Sequence, residues 1–148
     1  MAFSITIGGV SPEEVFGYVS DVSRHAEWAN PNASLRIENV SGGPPMLGSK
    51  YRSEALFLKK PVTADLEITA YDRPSRFAYS VAHHQAGKKD VHMEHTYTLR
   101  AEGGGTAVEK SSTGDGSKVV GFLAYPAIRK DALTSLRNLK AKLESGTR

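Results

Sequence analysis

A long stretch of alternating apolar and polar side chains, from residue 34 to residue 113, limits the ways in which this chain can fold. Glycines and prolines interrupt the alternation at short intervals, at 42–45, 61, 74, 87 and 103–105. Alternation predicts strands, because successive side chains of a strand point to opposite faces. Segments this close together permit hairpins and exclude parallel crossovers, which need about a dozen residues or more. The stretch therefore predicts an antiparallel meander.

One further strand and two short helical segments precede the meander. Phe3, Ile5 and Ile7 alternate with polar residues, which predicts a strand over 2–8. Ser11-Pro12-Glu13-Glu14 combines an N-cap serine, an early proline and a glutamate three residues after the cap, which predicts a helix start. A second short helical segment follows over 23–28. Within the meander we predict strands over 34–40, 48–58, 62–72, 76–84, 91–101 and 106–113.

The end of the chain carries the signature of one long helix. Leu133, Leu136, Leu139 and Leu143 follow one another at intervals of three and four residues and form one apolar stripe. Pro126 lies upstream of this stripe, where it either begins the regular helix or kinks a longer one. Both alternatives remain open from the sequence.

These elements predict an α+β fold in a single domain over 1–148, with a seven-stranded curved antiparallel sheet around a long C-terminal helix. The helix is the only long element available to cover the apolar face of the sheet. Strand twist bends such a sheet around the helix, and one helix does not easily fill the concave side. We therefore expect a cavity of ligand size between them.

Three parts of the sequence resemble the START-like (SRPBCC) helix-grip superfamily, in its polyketide cyclase/dehydrase and lipid-transport branch. They lie within residues 10–28, 67–78 and 96–108, and include Ser11-Pro12-Glu13-Glu14 and Tyr71-Asp72-Arg73-Pro74. The resemblance implies a Bet v 1-like fold that binds lipids, polyketides or other apolar ligands, and in a minority of members catalyses cyclisation or dehydration. We expect a small hydrophobic or amphipathic ligand, with a partner-binding regulatory module as a further alternative.

Composition excludes several other classes of protein. The chain has no cysteine, which excludes disulfides, thiolate metal sites and a cysteine nucleophile. Its formal net charge of +3 is a small excess and predicts no nucleic-acid partner. No apolar run reaches the roughly 18 residues of a membrane span, so no stable membrane insertion is expected. We expect a cytoplasmic protein without a cofactor, either a monomer or a homodimer.

The hairpin between the strands at 76–84 and 91–101 sets which residues face each other. A three-residue loop at Gly87-Lys88-Lys89 places the apolar residues of both strands on one face. The predicted partners are then Phe77 with Leu99, Tyr79 with Tyr97, Val81 with His95, and His83 with Met93.

The inner face and its surroundings supply the predicted ligand-binding residues. They combine aromatic rings with a few polar groups, as small-molecule sites do. The predicted set is Trp28, Tyr51, Ser53, Phe57, Tyr79, His83, Met93, His95, Tyr97, Lys110 and Phe122.

Two residues of this set are also the candidate catalytic pair. A neutral His95 could act as a general base, and the hydroxyl of Tyr97 or Tyr79 could stabilise an enolate oxygen. The alternative is that these side chains only anchor a ligand. His84 and His92 are predicted to pair on the outer face, so the four histidines divide between two faces and no metal site is expected.

The register of the last strand leaves one choice open. Lys110 faces inward if Val108 does, and could then hold a ligand carboxylate; in the opposite register Glu109 faces inward as a candidate acid or base.

Two further features lie at the expected mouth of the cavity. Trp28 either gates the opening or packs the short helix against the sheet. The flexible segments 42–45 and 114–116 are the predicted lids.

Overall fold

The computed structural model describes residues 1–115 and 120–146, and the side chains of 120–124 fall outside that description. It contains one antiparallel sheet of seven strands in the order β1-β7-β6-β5-β4-β3-β2. This confirms the predicted fold class and the meander. The strands are β1 (Ala2–Ile7), β2 (Arg36–Asn39), β3 (Lys50–Phe57), β4 (Lys60–Asp72), β5 (Arg76–His84), β6 (Val91–Glu102) and β7 (Gly105–Gly114).

Short helices connect β1 to β2. Helix α1 (Pro12–Val19) is followed by two 3-10 helices, Val22–Glu27 and Pro31–Ala33, of which the second was not predicted. The Ser11 hydroxyl accepts a hydrogen bond from the Glu14 amide at 3.2 Å, so the predicted N-cap is present. Phe16 is fully buried and seats α1 against the sheet.

Replacing Ser11 with alanine should lower the free energy of unfolding by about 1 kcal/mol, because the first turn of α1 loses the acceptor for its free amide. Urea denaturation measures this change. Ser11→Asp is the matched control, since aspartate also caps helices and should retain most of the stability. Equal losses in both variants would show that the cap does not stabilise α1.

The long helix α2 (Val120–Glu144) lies against β1 and the connection that follows the first 3-10 helix. Leu136, Leu139 and Leu143 are buried, as the apolar stripe predicts. The Lys140 ammonium donates to the Thr6 carbonyl at 2.6 Å, and the Gly8 amide donates to Glu144 at 2.7 Å. Pro126 lies inside α2 and does not begin it.

The pairing of β5 with β6 differs from the predicted pairing by two residues. Phe77 faces Tyr97, Tyr79 faces His95, Val81 faces Met93 and His83 faces Val91. The reason is the position of the turn: the Lys88 amide donates to the Gln85 carbonyl at 3.1 Å, so the hairpin is centred on Gly87 and not on Lys88. A shift of two preserves every face, because side chains alternate with period two. The predicted inner face is therefore retained with different partners.

The predicted outer pair of His84 and His92 is also wrong for this reason. His92 faces Ala82. His84 instead contacts Asp65 and Asp90, each at 3.0 Å, and the pKa of His84 is raised by these two carboxylates. His92 contacts Asp115 at 3.3 Å.

Candidate functional site

Five side chains on neighbouring strands form a polar cluster on the inner face of the sheet: Tyr79, His95, Tyr97, Lys110 and Ser112. Strand pairing brings them together, since His95 faces both Tyr79 and Ser112, and Tyr97 faces Lys110. The rings of Tyr79 and His95 lie 5.2 Å apart. We call this group the inner polar cluster.

His95 is held in place by one hydrogen bond and is kept neutral by its surroundings. Its Nδ1 lies 2.7 Å from the Ser112 hydroxyl. Burial, the Lys110 charge and the other nearby histidines lower the pKa of His95 well below its ordinary value. The imidazole is therefore uncharged at neutral pH and retains an unprotonated nitrogen, although its low pKa makes it a weak base.

The two tyrosines of the inner polar cluster lie on adjacent strands, and each contacts the ring of Phe77. Burial raises the pKa of both phenols. Both hydroxyls therefore stay protonated and can donate to an oxygen of a ligand.

Lys110 is the charged residue of the inner polar cluster. It is half-buried, whereas Glu109 is exposed, so Lys110 occupies the inward position of the two alternatives. Its ammonium lies 5.6 Å from the centroid of the Tyr97 ring. Within residues 1–115 and 120–146 it has neither an ion pair nor a hydrogen bond. A cation–π contact alone is a weak partner for a half-buried cation.

His25 borders this cluster and was not predicted as a site residue. It is buried, its Nε2 donates to the Val19 carbonyl at 2.6 Å, and its ring lies 5.7 Å from that of Tyr79. Burial, with the Lys110 charge, lowers the pKa of His25 to about 4. The available signal was the spacing Val22, His25, Trp28, because residues three apart share one face of a 3-10 helix.

Trp28 belongs to the wall of the core. It is buried, with its ring 4.8 Å from that of His25 and 6.3 Å from that of Tyr97. This position favours a packing role for Trp28 between helix and sheet over a role in gating the cavity. Its Nε1 and the Tyr51 hydroxyl are buried without a hydrogen bond of ordinary geometry to any described residue.

The remaining predicted ligand-binding residues differ in how deeply their side chains are buried. Ser53 and Tyr51 are buried, and His83 and Met93 are half-buried. Phe57 shares their face by alternation but lies at the end of β3, where it is 37% exposed and away from the inner polar cluster. The side chain of Phe122 and residue 116 of one predicted lid lie outside the described residues.

Two surface hollows lie away from the inner polar cluster. One, of about 440 Å³, is lined by charged residues of the outer face, among them Lys50, Arg52 and Asp65. The other, of about 550 Å³, lies beside β2 and the hairpin of β3 and β4. Neither is lined by Tyr79, His95, Tyr97 or Lys110.

In the described ranges, no three metal-ligating side chains form a group that could hold an ion. No described helix has the length and apolar character to span a bilayer.

Solved structures share this fold at low sequence identity. A conserved protein from Geobacillus kaustophilus is 16% identical, with a TM-score of 0.75 over 97% of this chain and 94% of its own. The protein Ara h 8.0201 is 17% identical, with a TM-score of 0.73 over 98% of this chain and 97% of its own. At such identities the likeness shows the fold alone.

A third structure is DynU16, a protein in the dynemicin biosynthetic locus. It is 16% identical, with a TM-score of 0.68 over 99% of this chain. This chain spans about half of the length of DynU16, 47%.

A search of curated proteins by sequence finds no match. The sequence profile of one family matches residues 1–144, nearly the whole chain. That family is described as polyketide cyclase / dehydrase and lipid transport. Together with the seven-stranded sheet and the long final helix, this match shows that the chain is a member of the polyketide cyclase/dehydrase and lipid-transport family.

Proposed function

We propose that this protein binds an amphipathic small molecule between the inner face of the sheet and α2. The polar head of the ligand, an oxygen acceptor with negative charge, lies against Lys110 and the Tyr97 hydroxyl. The apolar body contacts the aromatic and aliphatic side chains around them. Binding or carriage of such a ligand is the main role.

The observation that carries this proposal is the ammonium of Lys110, which has no ion pair with any described residue. Among the residues of β5, β6 and β7 that alternate onto the inner face, Lys110 alone has a formal charge at neutral pH. Lys60 has the same parity but lies at the exposed first position of β4, away from the inner polar cluster. Removing even part of a cation's hydration without an anion beside it is unfavourable, so an anionic ligand group would complete this site. The protonated phenols of Tyr79 and Tyr97 add donors beside it.

The comparisons support the same class of ligand. The family description includes lipid transport, and lipids with acidic heads combine a long apolar body with an anionic oxygen. The presence of DynU16 in a biosynthetic locus also suits small-molecule handling by this fold. Neither comparison names the ligand of this chain.

Native mass spectrometry on protein purified from its own host tests the proposal. We expect a retained small molecule that carries an acidic group, seen as a mass above that of the 16.0 kDa chain. Lys110→Met protein purified in the same way should retain less of it. A retained neutral molecule at equal occupancy in both proteins would contradict the proposed head-group contact.

A cyclase or dehydratase is the second candidate, and the neutral His95 favours it. His95 would remove a proton from the carbon beside a ligand carbonyl, and the carbonyl oxygen would gain negative charge next to Tyr97 and Lys110. In a dehydration, hydroxide then leaves with a proton as water and a carbon–carbon double bond forms. The low pKa of His95 limits its strength as a base.

The two candidates differ in their response to His95→Ala. If the protein is an enzyme, this variant should lose about 100-fold or more in turnover of a polyketide-type substrate while its affinity changes little. If the protein only binds, no turnover occurs and the affinity alone changes. Tyr97→Phe is the companion variant, because it removes one hydroxyl and preserves the ring.

A further inference from the structure

The hairpin between β3 and β4 has an unusual turn. Leu58 and Lys59 form it, and both have left-handed backbones, with φ of 51° and 64°. Asparagine and glycine are the usual residues of such turns, because side chains of other residues crowd the left-handed conformation. The turn thus keeps a large apolar side chain at a position where a smaller residue would be more stable.

The same turn exposes a group of apolar side chains. Leu56 and Phe57 are exposed at the end of β3, and Leu58 is 62% exposed at the tip. An isolated exposed leucine is ordinary, but three consecutive large apolar residues on a protruding strained turn form a patch. We call residues 56–60 the hairpin tip.

Four lysines surround this patch. Lys59 and Lys60 belong to the hairpin tip, and Lys88 and Lys89 lie in the loop between β5 and β6. Both hairpins close at the same end of β4, because Phe57 pairs with Lys60 and His84 pairs with Thr63. The four lysines therefore lie at the same end of the sheet as the exposed apolar residues.

The lysines at this end are not neutralised by the neighbouring acids. None of the four makes an ion pair within the described part of the chain. The carboxylates of the adjoining strand ends already face other partners: Asp90 contacts His84, Asp115 contacts His92, and Glu54 contacts Arg36. This end of the sheet therefore combines exposed apolar groups with an excess of positive charge.

We propose that the hairpin tip docks this protein onto the surface of an anionic lipid bilayer. Leu58 and Phe57 enter the boundary between head groups and acyl chains, and the four lysines face the lipid phosphates. Reversible anchoring of this kind needs an apolar and a basic contribution together, and both are present here. A folded protein partner would need a concave pocket to receive this tip. A lipid surface deforms around it and needs no such pocket.

Docking through the hairpin tip also fixes which end of the inner face lies near the bilayer. His83 and Met93 lie toward the same end of β5 and β6 and are only half-buried. Docking through the hairpin tip would turn this less covered end toward the bilayer. The inference does not depend on the chemistry of the ligand, since it uses only surface residues.

Vesicle co-sedimentation tests the inference. The wild-type protein should bind phosphatidylcholine vesicles that contain about one-third phosphatidylglycerol, and bind pure phosphatidylcholine at least about tenfold more weakly. Leu58→Asp should reduce binding to the anionic vesicles by about tenfold or more. Lys88→Gln with Lys89→Gln should reduce it by roughly five-fold for each lysine.

Two control variants separate docking from folding. Leu47→Asp changes a leucine that is 65% exposed in the connection at the other end of β3, and should leave vesicle binding unchanged. Leu58→Asn with Lys59→Gly supplies the preferred turn, so it should raise the unfolding temperature while it weakens vesicle binding. Wild-type protein that ignores both vesicle types would overturn the inference. Leu58→Asp protein that binds the anionic vesicles as well as the wild type would also overturn it. A third contrary result would be a dimer of the protein that Leu58→Asp dissociates, with no binding to vesicles.

Discussion

Lowering the pH from 6.5 to 4 should reduce the free energy of unfolding by about 3 kcal/mol through His25 alone. The folded protein holds the pKa of His25 at about 4, against about 6.5 in the unfolded chain. Above pH 6.5 both states have a neutral imidazole, and His25 gives no pH dependence. Between the two values only the unfolded state is protonated, so protons favour unfolding. His83 and His95 act with the same sign, because burial also lowers their pKa values.

Urea denaturation at a series of pH values measures this effect, and His25→Gln isolates it. Glutamine presents an Nε2 donor to the Val19 carbonyl but does not titrate. The variant should therefore show a smaller loss of stability between pH 6.5 and 4 than the wild type. Carboxylates such as Glu27 also lose favourable contacts in acid, and the comparison of the two proteins cancels their contribution. Parallel curves would contradict the burial of a neutral His25.

Lys110→Met should weaken the binding of dodecanoate by about 10- to 100-fold, because a charged hydrogen bond contributes roughly 1.5–3 kcal/mol. Dodecanol has the same chain without the negative charge, so its affinity should change much less. Trp28 is the only tryptophan and lies beside Tyr97, so its fluorescence can report both titrations.

Lys88→Met is the matched control for this prediction. It removes an exposed ammonium in the loop between β5 and β6, outside the inner polar cluster, and should leave dodecanoate binding in free solution unchanged. If Lys110→Met weakens both ligands equally, the lysine stem contributes packing and its charge does not hold the ligand. That result would remove the main support for an acidic head group.

The sequence predicts the faces of the sheet better than it predicts the partners across strands. Alternation places Tyr79, His95 and Tyr97 on one face, and this depends only on parity. The partner of Tyr79 depends on the position of the next turn, which the hydrogen bond from the Lys88 amide to the Gln85 carbonyl helps to set. Such a bond joins backbone atoms and leaves no periodic signal in the sequence.

The burial of His25 and the exposure of Phe57 both differ from what the sequence pattern predicts. His25 lies in a short 3-10 helix, and its burial against Tyr79 joins residues far apart in the chain. Phe57 has the parity of the inner face, but β3 extends beyond the part of the sheet that other elements cover. Local pattern gives the direction of a side chain, whereas tertiary packing decides its depth.

Titration of ¹⁵N-labelled protein with dodecanoate, followed by amide chemical shifts, locates the ligand most directly. We expect the largest shifts in β5, β6 and β7 around Tyr79, His95 and Lys110, with smaller shifts in the Lys110→Met variant. Shifts confined to the outer-face hollow around Arg52 and Asp65 would contradict a binding site on the inner face.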